Sequence, residues 1–236
     1  MKRNQNVHTP EEFTEQIGRS LDALIAAAPD GPEEPEATQE EITAVKQCHG
    51  WGARYCPSHQ NLHGAEWLRT FDEARGAVAK GGIVVFVGNR GPGKTQMAAE
   101  IARGCQYPHD AAEWNGVRPV ANRTALYRRA IDIFLDLRDA NRSGSKTSEK
   151  QVLENLARVG LLVIDEFQDR GESDWENRMV TNLIDKRYAA ERPTILIANY
   201  TRAEMAKAIS ASVRDRMHEN GKSFEFNWPS YRRVLL

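Results

Sequence analysis

Residues 83–95 read IVVFVGNRGPGKT, and this stretch decides the fold class of the chain. Its first part, Ile83 to Val87, is apolar without alternation, which is typical of a strand covered on both faces in a parallel sheet. Its second part, Gly88 to Thr95, fits the pattern G-x-x-x-x-G-K-S/T, and the helical pattern Met97 to Ala102 follows at once. A buried strand, a glycine-rich loop and a helix in this order predict a phosphate-binding loop, or P-loop.

The P-loop predicts a site for the phosphates of ATP. Its glycines let backbone N–H groups wrap around a phosphate at the N-terminus of a helix. Lys94 is long enough to reach the β- and γ-phosphate oxygens, and the Thr95 hydroxyl is expected to bind Mg²⁺. A glycine-rich turn that matches the pattern by chance is the alternative, and the flanking strand and helix argue against it. The residues expected to bind the nucleotide are Gly88, Asn89, Arg90, Gly91, Pro92, Gly93, Lys94, Thr95 and Gln96.

Three further apolar runs predict more strands of the same sheet. These runs are Ala125 to Tyr127, Leu161 to Ile164 and Thr194 to Ala198. Helices between the strands are expected to begin at capping boxes, which pair Ser148 with Gln151, Ser173 with Glu176 and Thr201 with Glu204. Strands that alternate with helices predict an α/β domain of three layers, with a parallel sheet between helices.

Polar side chains stand where two of these strands end. Asp165 is expected to complete the Mg²⁺ shell through water, and Glu166 to orient and polarise the water that attacks the γ-phosphate. Asn199 follows the last run, and its amide is expected to contact the γ-phosphate or the attacking water. Because ligands of open α/β sheets bind at the carboxyl ends of strands, we expect these residues to converge on the P-loop. The alternatives are a solvated strand end for the two carboxylates and a turn residue for Asn199.

Two arginines in the stretch Val213-Arg214-Asp215-Arg216-Met217 are candidates for a role between subunits. An arginine supplied by a neighbouring copy would neutralise the charge that develops on the γ-phosphate. A solvated helix face explains the same spacing, so the residues alone leave both interpretations open.

Four of these features together resemble the DnaC-type replicative helicase loaders. They are Gly88 to Thr95, the strand Leu161 to Glu166, the strand end at Asn199 and the helix Arg214 to Met217. The segment Phe224 to Arg232 also resembles the aromatic tail of those loaders, and the likeness extends from about Trp67 to the C-terminus. The related IstB-type transposition ATPases share the core.

This resemblance implies an AAA+ P-loop ATPase without a C-terminal helical lid, which binds ATP between protomers and self-associates through that interface. It also implies assembly on single-stranded DNA and binding of a hexameric replicative helicase by the N-terminal segment. By its place in the family's motif, Arg216 is the arginine that acts on the neighbouring site, and Arg214 is the second candidate. Arg138, Arg142 and Lys146 lie where family members contact DNA, although an exposed basic loop explains them equally.

The bulk composition excludes some classes of protein and leaves the partner open. The net charge is −1 and the pI about 6.6, so the charge balance does not mark a nucleic-acid-binding protein. No apolar run approaches the roughly 18 residues of a membrane span, and the first residues lack the apolar core of a secretory signal. The odd number of cysteines favours reduced thiols. We therefore expect a soluble, intracellular protein with no membrane partner. The resemblance to the helicase loaders implies the cytoplasm of a bacterial or phage-infected cell.

The predicted organisation has three parts. Residues 1–31 form a partner-binding helix, residues 32–66 an acidic linker with a Cys/His-bearing segment, and residues 67–236 the ATPase domain. Residues on one face of the first helix, at helical spacing, are Phe13, Ile17, Leu21, Leu24 and Ile25. This apolar stripe packs on the protein's own core or binds a partner's groove, and the acidic linker behind it favours the partner.

The second part carries cysteine and histidine residues of the types that bind zinc. They are Cys48, Cys56, His59 and His63. Four such ligands would complete a site, but their spacing is irregular and such residues often occur together without metal. A zinc site is therefore less favoured than the alternative, that these residues bind no metal. The loop Gln106 to Arg123 has no interpretation from its sequence.

Three functions fit the predicted site. The first is a helicase loader, in which ATP orders the oligomer on single-stranded DNA and slow hydrolysis, stimulated by assembly or DNA, releases the loader. The second is an IstB-type transposition ATPase, and the aromatic tail and the detached N-terminal helix argue against it. The third is a small-molecule kinase. Glu166 argues against a kinase because a water-activating carboxylate is of no use to an enzyme that must exclude water.

Overall fold

The computed structural model of the protein describes Trp51 and residues 64–106, 125–171 and 173–230. The helices are α1 (Ala65–Ala79), α2 (Lys94–Gln106), α3 (Ala130–Ala140), α4 (Glu149–Arg158), α5 (Asp174–Ala189), α6 (Arg202–Ala208) and α7 (Ala211–Asn220), and a 3-10 turn covers Phe167–Asp169. The strands are β1 (Ile83–Gly88), β2 (Ala125–Arg129), β3 (Leu161–Asp165), β4 (Thr194–Ile197) and β5 (Gly221–Phe226). Within these ranges, no helix has both the length and the apolar character that crossing a membrane requires.

The strands form one five-stranded parallel sheet in the order β2-β3-β4-β1-β5. In its centre, Thr194 of β4 lies opposite Ile83 of β1 on one side and Leu162 of β3 on the other. The four strands predicted from apolar runs are confirmed, with bounds that differ by one or two residues. Because all strands run in the same direction, the C-terminal ends of β1, β3 and β4 lie side by side at one end of the sheet.

The sheet separates two apolar layers, because alternate residues of a strand point to opposite faces. Val84 and Phe86 of β1 pack in one layer with residues of α1 and α2. Val85 and Val87 pack in the other layer with residues of α3, α4, α5, α6 and α7. The predicted three-layer α/β fold with a parallel sheet is confirmed.

The edge strand β5 is an element that the apolar pattern does not predict. Only Phe224 and Phe226 are buried in it, while the other positions are partly or fully exposed. It pairs with β1 along its whole length. A Cβ atom on Gly221 would lie 2.6 Å from the Ile83 carbonyl oxygen, so a glycine is needed for this close pairing. The first part of the aromatic segment 224–232 is therefore a strand beside the one that leads into the P-loop.

One predicted capping box forms only in part. The boxes at α4 and α6 are confirmed. At α5 the Ser173 side chain accepts a hydrogen bond from the Glu176 N–H, as predicted. The Glu176 carboxylate is instead buried and forms an ion pair with Arg138 of α3 at 2.8 Å. A partner on another helix therefore replaces the local one.

Several predictions lie outside the described residues and stay predictions. They concern the partner-binding helix of residues 1–31, most of the linker segment 32–66 and the loop between α2 and β2. They also concern the four candidate zinc ligands, Cys48, Cys56, His59 and His63, and the end of the aromatic segment, Tyr231 and Arg232.

Candidate nucleotide-binding site

Lys94 connects the P-loop with the end of β4. It is the first residue of α2, is 5% exposed, and donates hydrogen bonds from Nζ to the carbonyl oxygens of Gly88 at 2.8 Å and Asn89 at 2.6 Å. Nζ also donates to Oδ1 of Asn199 at 2.9 Å, across 105 residues of sequence. The structure thus brings together two of the predicted site residues, at a position from which a P-loop lysine reaches phosphate oxygens.

The P-loop backbone adopts conformations that suit glycine. Gly88 has a φ of 120° and Gly93 a φ of 93°, which L side chains rarely adopt. The first N–H groups of a helix have no partner within it, so the start of α2 favours an anion beside the loop. The Gln96 side chain is directed along α2 rather than to the loop, because its Nε2 donates a hydrogen bond to Glu100 at 2.7 Å. The loop and the helix start together form a cradle suited to phosphate.

Asp165, at the end of β3, is held against the start of α2. It is 6% exposed, and its Oδ2 accepts a hydrogen bond from the Thr95 hydroxyl at 2.7 Å. The Tyr127 hydroxyl donates to the same oxygen at 3.1 Å, and the Glu166 N–H donates to Oδ1 at 2.7 Å. Carboxylate and hydroxyl oxygens are ligands that Mg²⁺ accepts, together with water and phosphate oxygens. The described residues contain no cluster of three or more His, Cys, Asp or Glu side chains able to hold a metal. The Mg²⁺ interpretation therefore needs those further oxygens.

Tyr127 is a site residue that sequence reasoning missed. It lies on β2 opposite Val163 of β3, two positions before the end of each strand. Its ring packs against that of Trp51, with the centroids 4.6 Å apart. Nothing in the local sequence distinguishes this tyrosine from one that only fills the core, because its role depends on the pairing of β2 with β3.

Glu166 has an unusual backbone and an unusual environment. Its φ is 51° and its ψ is 45°, which is the left-handed region that non-glycine residues seldom occupy outside constrained sites. Burial raises the pKa of its carboxyl group, and the nearby charges of Asp165 and Asp169 raise that pKa further. Arg129 and Arg90 act in the opposite direction on the pKa. A carboxylate with a raised pKa is a stronger base, which suits a group that polarises water.

Gln168 joins the end of β3 to the end of β4. It lies in the 3-10 turn after Glu166, and its Oε1 accepts a hydrogen bond from the Asn199 N–H at 2.9 Å. The Tyr200 carbonyl in turn accepts a hydrogen bond from the Gly88 N–H at 2.8 Å. The P-loop and the ends of both strands therefore form one connected hydrogen-bonded network. Sequence reasoning missed Gln168, since a glutamine in a turn carries no signal of its own.

Arg216 lies on α7, and the structure does not bring it to the P-loop of its own chain. Among the described residues, its guanidinium donates to the backbone and side chain of Ser212 and pairs with Asp185 of α5 at 3.2 Å. It also lies over the Tyr188 ring, 5.4 Å from the centroid. Arg214 donates to the Ala206 and Ile209 carbonyl oxygens at the end of α6. Those bonds cap the C-terminus of α6, and this structural role explains the presence of an arginine at position 214.

The basic residues at the end of α3 are partly engaged within the chain. Arg138 pairs with the buried Glu176, and its guanidinium lies 5.9 Å from the centroid of the Trp175 ring. Arg142 forms an exposed ion pair with Asp139 at 3.0 Å. The segment that includes these arginines has no aromatic residue suited to base stacking, but the fold places Trp175 beside it.

Comparison with known proteins relates the chain to one family. The family model described as IstB-like ATP binding protein matches residues 77–234, more than half of the chain. The replicative helicase loader DnaC of Escherichia coli (strain K12) is 34% identical over 149 residues, which are 63% of this chain and 55% of that protein. The replicative helicase loader DnaC of Buchnera aphidicola subsp. Baizongia pistaciae (strain Bp) is 27% identical over 152 residues, which are 64% of this chain and 56% of that protein. The chain thus spans about half the length of these curated relatives.

A solved structure has the same fold. The crystal structure of the DnaC helicase loader matches with a TM-score of 0.55 and 21% identity, and the match covers 73% of this chain and 98% of that one. At this level of identity the likeness shows the fold alone. The predicted α/β fold with a parallel sheet and a P-loop is supported by this match together with the sheet.

Proposed function

Because the chain belongs to the family of IstB-like ATP-binding proteins, we propose that it hydrolyses ATP to load a hexameric replicative DNA helicase onto single-stranded DNA. The convergence of Lys94 with Asn199 and of Thr95 with Asp165 at one end of the sheet gives this function its main support. The relatives named replicative helicase loader support the loading role.

Each residue of the site has a distinct role in this function. The P-loop and the start of α2 bind the phosphates, and Lys94 binds the β- and γ-phosphate oxygens. Thr95 and Asp165 would hold Mg²⁺ together with water and phosphate oxygens, and the ion would neutralise charge on the phosphates. Glu166 polarises the attacking water, and Asn199 contacts that water or the γ-phosphate.

Two further residues support those that act on ATP. Tyr127 orients Asp165 through its hydroxyl, and Gln168 holds the Asn199 backbone. Neither residue is expected to touch the nucleotide. Their effect on hydrolysis is therefore indirect, through the position of the carboxylate and the amide.

ATP binds between protomers, and its hydrolysis acts as a slow timer that releases the loader from the helicase. Arg216 of one protomer then stabilises charge on the γ-phosphate bound by its neighbour. The ion pair of Arg216 with Asp185 must open or turn toward the neighbour for this to happen. Hydrolysis is therefore expected to depend on assembly.

Arg216→Ala is expected to lower the ATPase rate of the assembled protein on the order of 10²-fold, because one donor to the transition state is lost. Hydrolysis by the dilute, unassembled protein should not change. The measurement is the ATPase rate as a function of protein concentration. The control is Arg158→Ala, which removes an arginine at an exposed position of α4.

Mixing two inactive variants tests whether Arg216 acts between subunits. Lys94→Ala lacks the P-loop lysine but keeps Arg216, so at a mixed interface it completes the site of an Arg216→Ala neighbour. Recovery of ATPase activity on mixing is expected. If the mixture stays as inactive as its components, Arg216 does not act in trans.

The helicase-binding role falls to residues 1–31, with residues 32–66 as linker and residues 67–236 as ATPase domain. Replacement of both Phe13 and Leu21 by Ala should weaken capture of a hexameric replicative helicase by about tenfold, since large apolar anchors dominate such interfaces. The measurement is pull-down of the helicase with and without ATP.

The matched control for this experiment changes two charged residues of the same segment. If residues 1–31 form the predicted helix, the spacing of Glu15 and Arg19 puts them opposite the apolar stripe. Replacing both by Ala leaves the net charge unchanged. The control is expected to bind like the wild type. Full binding by the Phe13/Leu21 variant would remove the N-terminal segment from the interface.

The second candidate function is an IstB-like transposition helper ATPase. The description of the matching family model favours it. The two functions differ in the nucleic acid and partner that they need. Stimulation of hydrolysis by duplex DNA, without binding to a replicative helicase, would favour the transposition role.

A further inference from the structure

Residues 226–230, which we name the strap, lie against the P-loop. The Trp228 indole donates a hydrogen bond from Nε1 to the Pro92 carbonyl oxygen at 2.9 Å. Ser230 is so close to Gly91 that a Cβ atom on that glycine would be 2.0 Å from Oγ of the serine and 2.8 Å from its Cβ. Two successive residues at the tip of the loop are thus in contact with the strap.

The strap is anchored in the core at its first residue. Phe226 is fully buried, and its ring centroid lies 5.1 Å from that of Phe86 in β1 and 4.7 Å from that of Trp228. The carbonyl oxygen of Phe226 is placed so that a Cβ atom on Gly88 would be 2.4 Å away. Since a close-packed core yields little, the strap is fixed at Phe226, and Trp228 and Ser230 extend from that point to the loop.

The bond from Trp228 bears on phosphate binding through one peptide group. The peptide between Pro92 and Gly93 is trans, so its carbonyl oxygen and its N–H point in opposite directions. Because the indole holds the carbonyl oxygen, the Gly93 N–H is directed away from Trp228. Backbone N–H groups of glycine-rich loops are the groups that bind phosphate oxygens.

We propose that Trp228 and Ser230 are positioning residues for ATP, which hold the tip of the P-loop so that the Gly93 N–H is available to the phosphates. This inference rests on the ATP-binding function proposed above. Both residues lie outside the G-x-x-x-x-G-K-S/T pattern, and they touch the loop rather than the nucleotide. Their loss therefore weakens phosphate binding and leaves the chemical step nearly unchanged.

The test is Trp228→Phe, which keeps an aromatic ring against Phe226 while it removes the N–H donor and the larger ring system of the indole. The Kd values for ATP and for inorganic tripolyphosphate are expected to rise together, by about 3- to 10-fold, as for the loss of one hydrogen bond. The kcat at saturating ATP should stay within about twofold of the wild-type value. Ser230→Val, at an exposed position, presses on Gly91 and should raise both Kd values without unfolding the protein.

Trp67→Phe is the matched control, because it removes a buried indole of α1 that stacks on Phe71. Its Kd for ATP should equal that of the wild type. Equal Kd values for the wild type and Trp228→Phe would overturn the role of the strap, as would a loss of affinity for ATP but not for tripolyphosphate. A wild-type protein that binds neither ligand would overturn the proposed function itself.

Discussion

Glu166→Gln is expected to lower the rate of ATP hydrolysis on the order of 10³- to 10⁴-fold, while ATP stays bound with an affinity close to that of the wild type. Glutamine has the size of glutamate, so the left-handed backbone at this position and the bond from its N–H to Asp165 are kept. What it loses is the basic oxygen that accepts a proton from water. The measurement is single-turnover hydrolysis together with the Kd for ATP.

Asp169→Asn is the control for this experiment. Asp169 belongs to the same turn, is exposed, and contributes to the raised pKa of Glu166 through its charge. Its Oδ1 accepts a hydrogen bond from Gln168 at 3.0 Å, and the amide oxygen of asparagine can accept the same bond. Its replacement should change the rate by about twofold or less. An undiminished rate for Glu166→Gln would mean that another group activates the water. Loss of ATP binding in that variant would mean that Glu166 shapes the pocket.

Arg187→Met is expected to lower the free energy of unfolding by about 3–5 kcal/mol, a large part of the stability of a domain of this size. Arg187 of α5 is completely buried. Its guanidinium donates to six uncharged acceptors, which are the carbonyl oxygens of Leu156, Ala157, Val159, Gly160 and Pro193 and the hydroxyl of Thr194.

These acceptors explain why the effect should be large. They belong to the end of α4, to the residues just before β3 and to the residue just before β4. Arg187 therefore joins three segments at the end of the sheet where β3 and β4 begin. Removal of the guanidinium takes a donor from each of these buried carbonyl groups. Those of Ala157 and Pro193 keep a second donor, from the Arg192 guanidinium at 2.9 Å and from the Leu162 N–H at 3.3 Å. Each carbonyl group that is left unsatisfied is costly. Burial lowers the pKa of Arg187 to about 9, which is still above neutral pH, so the side chain stays charged.

The measurement is denaturant-induced unfolding, with Lys186→Met as the control. Lys186 precedes Arg187 on the same helix and is exposed, so its replacement by the same residue removes a charge without burying or freeing any acceptor. The control should unfold within about 0.5 kcal/mol of the wild type. If Arg187→Met is as stable as the control, the carbonyl groups find other partners and Arg187 does not hold these segments together.

The catalytic core of the site is readable in the sequence because its residues stand at fixed places in local patterns. Lys94 follows a glycine-rich loop, Asp165 ends an apolar run, and Asn199 follows another. Parallel strands have their C-terminal ends at the same edge of the sheet. Residues at those ends can therefore be expected to lie close together even when the strand order is not known. The Lys94–Asn199 and Thr95–Asp165 contacts show that Asn199 and Asp165 converge on the P-loop.

Other features could not be read from the sequence because they depend on partners elsewhere in the chain. β5 is an edge strand with two buried residues, so it lacks the continuous apolar run that marks the central strands. The sequence around Glu176 matches a capping box, but in the structure its carboxylate is buried and forms an ion pair with Arg138 of α3. A glutamate that caps its own helix and one that pairs with another helix share the same local pattern, and only tertiary packing distinguishes them.

The sequence by itself determined the layered α/β fold and the P-loop. Continuous apolar runs indicate buried strands, and glycines at fixed spacing indicate the backbone conformation of the loop. The tertiary structure alone decided which side chains support the site. Tyr127 reaches Asp165 across 38 residues and Trp228 reaches Pro92 across 136. Such contacts follow from strand order and pairing register, which no local stretch of sequence encodes.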